Sequence, residues 1–135
     1  GEDDEMLKSC ADQMDVRDKV YFAGMQTDIP GWLSAFDLFL FPSKFEGLPV
    51  AALEAQANGV PVLASLNVIP EEAKVNENFM FYSLEQGAES WSRKVADMKE
   101  NCNRINMKLV EKNFAGNGYD IKTEVQKLEA LFMEG

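Results

Sequence analysis

Residues 37–65 read DLFLFPSKFEGLPVAALEAQANGVPVLAS, and this stretch decides the fold. It starts with Asp37–Phe41, an apolar run of strand length that Pro42 and Ser43 end with residues typical of turns. A helical pattern follows, and Pro61–Ser65 is a second apolar run of strand length. A strand, a helix and a second strand in this order predict a parallel α/β unit with a right-handed crossover.

The helix of this unit begins beside a proline. Pro49 suits the first turn of a helix, because its φ is fixed and the N–H that it lacks would be unpaired there anyway. We expect the helix to span Leu48–Asn58. Backbone N–H groups of Gly47, Leu48 and Val50 then point out of the helix start, where an anion such as a pyrophosphate can be bound.

Two glutamates, Glu46 and Glu54, stand eight positions apart around this turn. Glu54 lies roughly 9 Å along the helix at about 1.5 Å per residue, a separation comparable to that between a pyrophosphate and the ribose of one nucleotide. A carboxylate accepts hydrogen bonds from both ribose hydroxyls, and Glu46 then faces the group on the other side of the phosphates. Taken singly, Glu46 reads as a favourable charge at a helix dipole and Glu54 as a solvated helix residue. Together they favour a nucleotide-sugar site.

These motifs resemble glycosyltransferase family 4 (glycosyl transferases group 1), and within it the C-terminal nucleotide-sugar-binding lobe of a GT-B enzyme. The matching segments are Pro42-Ser43, Glu46-Gly47-Leu48-Pro49, Glu54 and Ala57–Ser65. Upstream, Val20–Gly24 resembles the family's strand that ends in glycine. Downstream, Ile69–Glu72 resembles a segment of the polysaccharide-synthesis members.

The resemblance implies an α/β fold in which a Rossmann-like parallel sheet is flanked by helices. Residues 1–135 then form a partial C-terminal nucleotide-sugar-binding domain whose last helix spans about 120–133. Gly1 corresponds to a glycine at the end of the lobe's second strand, and no initiator Met is present. We therefore expect a fragment that lacks the lobe's first strands, the cations they carry and the N-terminal lobe.

The resemblance also implies roles for the residues around the turn. Glu46 matches a glutamate near the donor sugar that contributes to catalysis, and Glu54 matches the ribose ligand. Gly47, Leu48 and Val50 match main-chain donors to the diphosphate.

Met25 and Gln26 match the loop that lies against the base of the donor. The reaction implied is transfer of a hexose from a nucleoside diphosphate sugar, of the UDP or GDP type, to an acceptor in polysaccharide biosynthesis. The family transfers with retention at the anomeric carbon and requires no metal or other cofactor. We expect the fragment to supply the donor site and to be inactive alone.

Three alternatives remain open at this point. A nucleotide-sugar epimerase of the same two-lobed architecture binds the same ligands, although the Glu-Gly-x-Pro motif favours the transferase. An acidic receiver domain is phosphorylated on an aspartate at the end of a strand, whereas Asp37 begins its strand. The third alternative is a non-catalytic α/β fragment.

Composition excludes several classes of protein. Lys and Arg total 13 against 23 Asp and Glu, and the net charge of −10 argues against a nucleic-acid partner. The absence of histidine excludes histidine-based catalysis, and Cys10 and Cys102 form no metal or redox motif. No apolar stretch approaches the roughly 20 residues of a membrane span. We expect a cytoplasmic protein, placed at the inner face of the membrane by the family resemblance.

Local patterns predict the remaining elements. The predicted helices are Asp3–Met14, Gly31–Phe36, a short one at Pro70–Ala73, Ala88–Glu100, Cys102–Phe114 and a last one from Asp120. The predicted strands are Lys19–Ala23, Leu38–Phe41, Pro61–Ser65 and Asn78–Tyr82. The last helix carries an apolar stripe of Ile121, Val125, Leu128 and Phe132, which needs a partner surface and predicts self-association of the fragment.

Overall fold

The computed structural model describes residues 2–45 and 49–117. The helices are α1 (Glu2–Gln13), α2 (Ile29–Ser34), α3 (Val50–Ala57), α4 (Gly87–Asn101) and α5 (Met107–Gly116). The strands are β1 (Phe39–Phe41), β2 (Val62–Ser65) and β3 (Phe79–Tyr82), with short 3-10 turns at Arg17–Lys19, Glu71–Ala73 and Leu84–Gln86. The predicted last helix from Asp120, with its apolar stripe, lies outside the described residues.

The three strands form one parallel sheet in the order β1-β2-β3. Val62 pairs with Phe39 on one side and with Phe79 on the other, so β2 is the central strand and all four of its residues are buried. α3 connects β1 to β2, as the helix of a parallel crossover must. This arrangement confirms the expected Rossmann-like α/β fold.

Successive residues of β2 point to opposite faces of the sheet, and helices cover both faces. Val62 and Ala64 belong to a buried cluster with Leu33 of α2 and Ala52 of α3. Leu63 packs on the other face in a cluster with two residues of α4, Trp91 and Met98. Both faces are therefore apolar, which explains why this strand reads as a continuous apolar run rather than an alternating one.

A buried glutamine ties α3 to the segment that follows β2. The side-chain amide of Gln56 donates to the carbonyl oxygen of Ala73 at 2.7 Å, and its Oε1 accepts from the backbone N–H groups of Val75 (2.7 Å) and Asn76 (2.9 Å). Asn76 donates back to the carbonyl oxygen of Gln56 at 2.9 Å. The loop between β2 and β3 contains no α-helix that could pack it against the sheet, and these hydrogen bonds hold it against α3 instead.

The predicted strand Lys19–Ala23 is wrong. Arg17–Lys19 form a 3-10 turn, and Val20 is extended (φ −117°, ψ 122°) without belonging to a sheet. An extended segment becomes a strand only when a neighbour pairs with its N–H and C=O groups. Among the described residues, no strand lies beside this segment.

Two helix starts also differ from expectation. Pro49 is the residue that precedes the first turn of α3, with φ −81° and ψ 60°, so the helix begins at Val50 and not near Leu48. The predicted helix Cys102–Phe114 begins only at Met107, where the side chain of Asn106 accepts a hydrogen bond from the N–H of Leu109 at 3.0 Å. The other predicted helices and strands within the described residues are confirmed, and each of their ends lies within two residues of the predicted position.

Among the described helices, none combines the length and the apolar character needed to cross a lipid bilayer.

Candidate functional site

A cavity of about 300 Å³ opens between the loop after residue 22, α2, β1 and α3. Met25, Gln26 and Glu54, three of the seven predicted site residues, line it. Met25 and Gln26 belong to the loop, and Glu54 follows Gln26 by 28 positions in the sequence. The fold therefore joins the predicted base-binding loop to the predicted ribose ligand.

Glu54 faces this cavity from the middle of α3. It shares the cavity wall with Ala51, one turn earlier, whereas Ala52 and Ala55 pack into the core beneath the sheet. Only 5% of Glu54 is exposed, so the interpretation of this residue as a solvated helix side chain is wrong. Its carboxylate lies in surroundings of low polarity, where a hydrogen bond to a charged group is stronger than in water.

Gln26 holds the loop in place with its side-chain amide. Its Nε2 donates to the carbonyl oxygen of Ala23, and its Oε1 accepts from the indole N–H of Trp32 at 3.1 Å. Tyr21 stacks on the same indole ring, with 5.9 Å between the ring centres. The loop is thereby attached to α2, while the neighbouring Met25 remains 90% exposed at the cavity.

The main chain of the loop borders open space at Gly24. This residue has φ +65°, a conformation that L side chains rarely adopt, and a Cβ added to it would meet no atom within 4 Å. Glycine is required here by the backbone conformation and not by crowding. A ligand in the cavity can therefore approach the main chain of residues 23–26.

The start of α3 lies after the carboxyl end of β1, and open α/β folds bind ligands beside the carboxyl ends of their strands. The N–H of Leu53 donates to the carbonyl oxygen of Pro49 at 3.1 Å, and no side chain of Pro49 caps the helix. Val50 precedes that first helical bond, so its N–H is among those that a helix leaves for an outside acceptor. Glu46, Gly47 and Leu48 lie outside the described residues, and their roles stay predictions.

A family model described as "Glycosyl transferases group 1" matches residues 1–101 of the chain. The chain belongs to this glycosyltransferase family. The parallel sheet with helices on both faces is the Rossmann-like arrangement of a GT-B lobe from this family. The assignment of all residues 1–135 to one partial domain stays a prediction.

Curated relatives of this glycosyltransferase chain include enzymes named for lipopolysaccharide core or capsular polysaccharide biosynthesis. The chain is 30% identical over 131 residues to the UDP-Gal:alpha-D-GlcNAc-diphosphoundecaprenol alpha-1,3-galactosyltransferase of Escherichia coli. This alignment covers 90% of the chain and 31% of the relative. It is 42% identical over 59 residues to the lipopolysaccharide core biosynthesis mannosyltransferase LpsB of Rhizobium meliloti, covering 44% of the chain and 17% of the relative. It is 29% identical over 104 residues to the capsular polysaccharide biosynthesis glycosyltransferase CapH of Staphylococcus aureus, covering 76% of the chain and 27% of the relative.

The glycosyltransferase chain thus spans less than a third of the length of these relatives. No solved structure gives a significant match to it.

Trp32 is a residue of this candidate site that sequence reasoning missed. It lines the cavity and bonds to Gln26 from six positions away, and the two residues belong to different segments, the loop and α2, so no single helix or strand pattern relates them. The usable signal was local: Asp28 caps α2 by accepting from the N–H of Gly31 at 3.0 Å, with Pro30 in the first turn. That pattern places the start of α2 and puts an aromatic residue one turn inside it.

Within residues 2–45 and 49–117 of the glycosyltransferase chain, no three His, Cys, Asp or Glu side chains are grouped so that they could hold a metal ion.

Proposed function

We propose that this chain forms the donor site of a retaining glycosyltransferase, which transfers a hexose from a nucleoside diphosphate sugar to an acceptor hydroxyl in polysaccharide biosynthesis. The observation that carries the proposal is the single cavity shared by Met25, Gln26 and Glu54, in a chain of this family. The base lies against the loop at residues 23–26, and its ribose hydroxyls donate to Glu54. The diphosphate then lies towards the start of α3.

Local donors must bind the diphosphate, because the chain as a whole repels it. A net charge of −10 disfavours a phosphate at long range. The N–H groups at the start of α3, together with the helix dipole, supply positive potential at short range. This argument extends to Val50 among the described residues and to Gly47 and Leu48, whose part is a prediction from the family motif.

In the transfer step, the bond between the anomeric carbon and the diphosphate oxygen breaks, and the acceptor oxygen bonds to the same carbon with retention. The proton of the acceptor hydroxyl passes to the leaving diphosphate. Negative charge develops on the leaving diphosphate, where preorganised N–H donors stabilise it. We assign Glu46 to orienting the donor sugar, and we propose that no metal takes part. The acceptor is bound by a separate N-terminal lobe, at the cytoplasmic face of the membrane.

The donor site is tested by titrating the ¹⁵N-labelled chain with UDP, GDP and ADP while following backbone amide signals. UDP comes first because the relative from Escherichia coli is named for a UDP-Gal donor. We expect one nucleotide to shift the signals of Met25, Gln26, Val50 and Glu54 selectively. If none of the three nucleotides shifts these signals at millimolar concentration, the chain does not form a donor site.

Glu54→Gln tests the ribose contact. An amide accepts hydrogen bonds less strongly than a carboxylate, so we expect the dissociation constant of the preferred nucleotide to rise roughly threefold to thirtyfold. Glu111→Gln is the matched control, because Glu111 is an exposed residue of α5. Isothermal titration calorimetry measures both, and equal affinities for Glu54→Gln and the unchanged chain would contradict the assignment.

A further inference from the structure

Arg104 bonds to four backbone carbonyl groups that are distant in the sequence. Its Nη1 donates to Asn58 at 2.7 Å, and its Nη2 contacts Leu33 (3.1 Å), Ser34 (3.1 Å) and Phe36 (2.6 Å). The arginine itself belongs to the segment between α4 and α5, 46 residues or more along the chain from these partners. One guanidinium group therefore joins three separate parts of the fold.

The partners of Arg104 are the carboxyl ends of two helices. Leu33 and Ser34 are the last residues of α2, and Asn58 follows the last residue of α3. Carbonyl groups in the last turn of a helix lack the N–H partner four residues further on, and they carry partial negative charge. The guanidinium is a planar fork of donors with a permanent charge, so it suits two converging helix ends better than an ammonium group does.

Both helices form walls of the cavity described above. On α2, the buried side chain of Leu33 lines the cavity while its carbonyl oxygen accepts from Arg104. On α3, Asn58 donates to the carbonyl oxygen of Glu54 through its backbone N–H (3.2 Å) and its side-chain amide (3.0 Å). Arg104 therefore contacts one wall directly and reaches Glu54 on the other through a single residue.

The backbone of Arg104 is itself anchored. The N–H of the next residue, Ile105, donates to the carbonyl oxygen of Gly59 at 2.9 Å, and the side chain of Ile105 is buried in the cluster between α3 and α5. Arg104, in contrast, is an exposed residue. Its removal takes little apolar surface out of the core, so its effect should be concentrated on the two helix ends.

We propose that Arg104 is a positioning residue that sets the separation of α2 from α3 across the cavity, and with it the fit of the nucleoside. The part of this proposal that concerns nucleoside binding rests on the donor site proposed above. Its structural part, the separation of the two walls, can be measured without any nucleotide.

The chain has two tryptophans, and they report on different faces of the sheet. Trp32 lies in α2 and lines the cavity, whereas Trp91 lies in α4 on the other face and donates its indole N–H to the carbonyl oxygen of Ser83 at 2.8 Å. In ¹H–¹⁵N spectra of Arg104→Met without nucleotide, we expect the indole signal of Trp32 to move by more than its line width. The signal of Trp91 should not move.

Two further variants separate this role from a loss of charge. Arg104→Lys keeps the charge without the planar fork, so we expect a smaller displacement of the Trp32 signal. Arg93→Met removes one positive charge from the exposed surface of α4 and should displace neither signal. Among the described residues, the ion pair of Arg93 is with Glu89 at 3.2 Å. If Arg104→Met does not fold, Arg104→Lys decides by the same criterion.

UDP binding provides the second readout. We expect Arg104→Met to raise the dissociation constant roughly threefold to thirtyfold, as residues that couple to a site indirectly do. An unmoved Trp32 signal, or equal displacement of both tryptophan signals, would overturn the proposal. If the unchanged chain binds no nucleotide, the donor site fails, while displacement of the Trp32 signal alone still supports the positioning of the cavity walls by Arg104.

Discussion

Gly59 both ends α3 and allows a close approach of the chain at Ile105, and only the first of these roles can be predicted from the sequence. As a glycine two positions before Pro61, it predicts the end of a helix, and α3 does end at Ala57. Its φ of +76° explains that part of the choice. The structure adds a close approach, since a Cβ at this position would lie 2.2 Å from the carbonyl oxygen of Ile105.

Gly59→Ala should therefore destabilise the fold by at least about 1–2 kcal/mol, because the left-handed backbone alone costs that much for an L residue. Contact with the Ile105 carbonyl adds to the cost, since neither group is the end of a flexible side chain. Urea unfolding followed by circular dichroism measures the change. Gly116→Ala is the control, since a Cβ there meets nothing within 4 Å, and unfolding free energy should stay the same or rise by roughly 0.5 kcal/mol. Equal stability of the two variants would contradict this account.

At the scale of elements, long-range hydrogen bonds decide where helices and loops end. The segment 102–106 has a helical pattern, yet it is held outside α5 by the bonds of Arg104 and Ile105 to the ends of α2 and α3. Gln56 acts in the same way on the loop between β2 and β3. Its side chain is fully buried and bonded to the loop from both ends of its amide.

Gln56→Ala should lower the unfolding free energy by roughly 2–5 kcal/mol, because the N–H groups of Val75 and Asn76 lose a buried acceptor. Chemical denaturation measures the loss, and hydrogen exchange should speed up at these two amides more than in β2. Gln86→Ala, at an exposed position before α4, should leave stability within about 0.5 kcal/mol of the unchanged chain. A loss below that size for Gln56→Ala would show that the loop is held by other contacts.

At the scale of the whole molecule, the sheet has an open side. β1 pairs with β2 on one edge, and no strand of the described residues lies on its other edge. Leu40, in the middle of β1, is 49% exposed. An unpaired strand edge is a template for pairing with another chain, whereas the net charge of −10 opposes association through repulsion.

We predict that the chain self-associates through β1 and that added salt strengthens the association by screening this repulsion. Sedimentation velocity at several protein and salt concentrations measures the mass. Leu40→Lys places a charge on the strand edge and should return the chain to a monomer. Met107→Lys, at a similarly exposed apolar residue at the start of α5, should not. A monomer at every concentration and salt level would contradict the prediction.

The sequence by itself determined the features that depend on neighbours a few residues apart. These are the order β1, α3, β2, the proline at the start of α3, the glycine after its end, and the spacing of motifs that indicated the glycosyltransferase family. Such features follow from the backbone preferences of single residues and from local periodicity.

Only the tertiary structure decided which residues share the cavity with Glu54, that Arg104 joins α2 to α3, and that residues 20–23 form no strand. Burial, strand pairing and long-range hydrogen bonds each depend on a partner that the chain brings close only by folding. A local pattern can therefore name Glu54 as a candidate, but the fold is needed to bury it beside the loop of Met25 and Gln26.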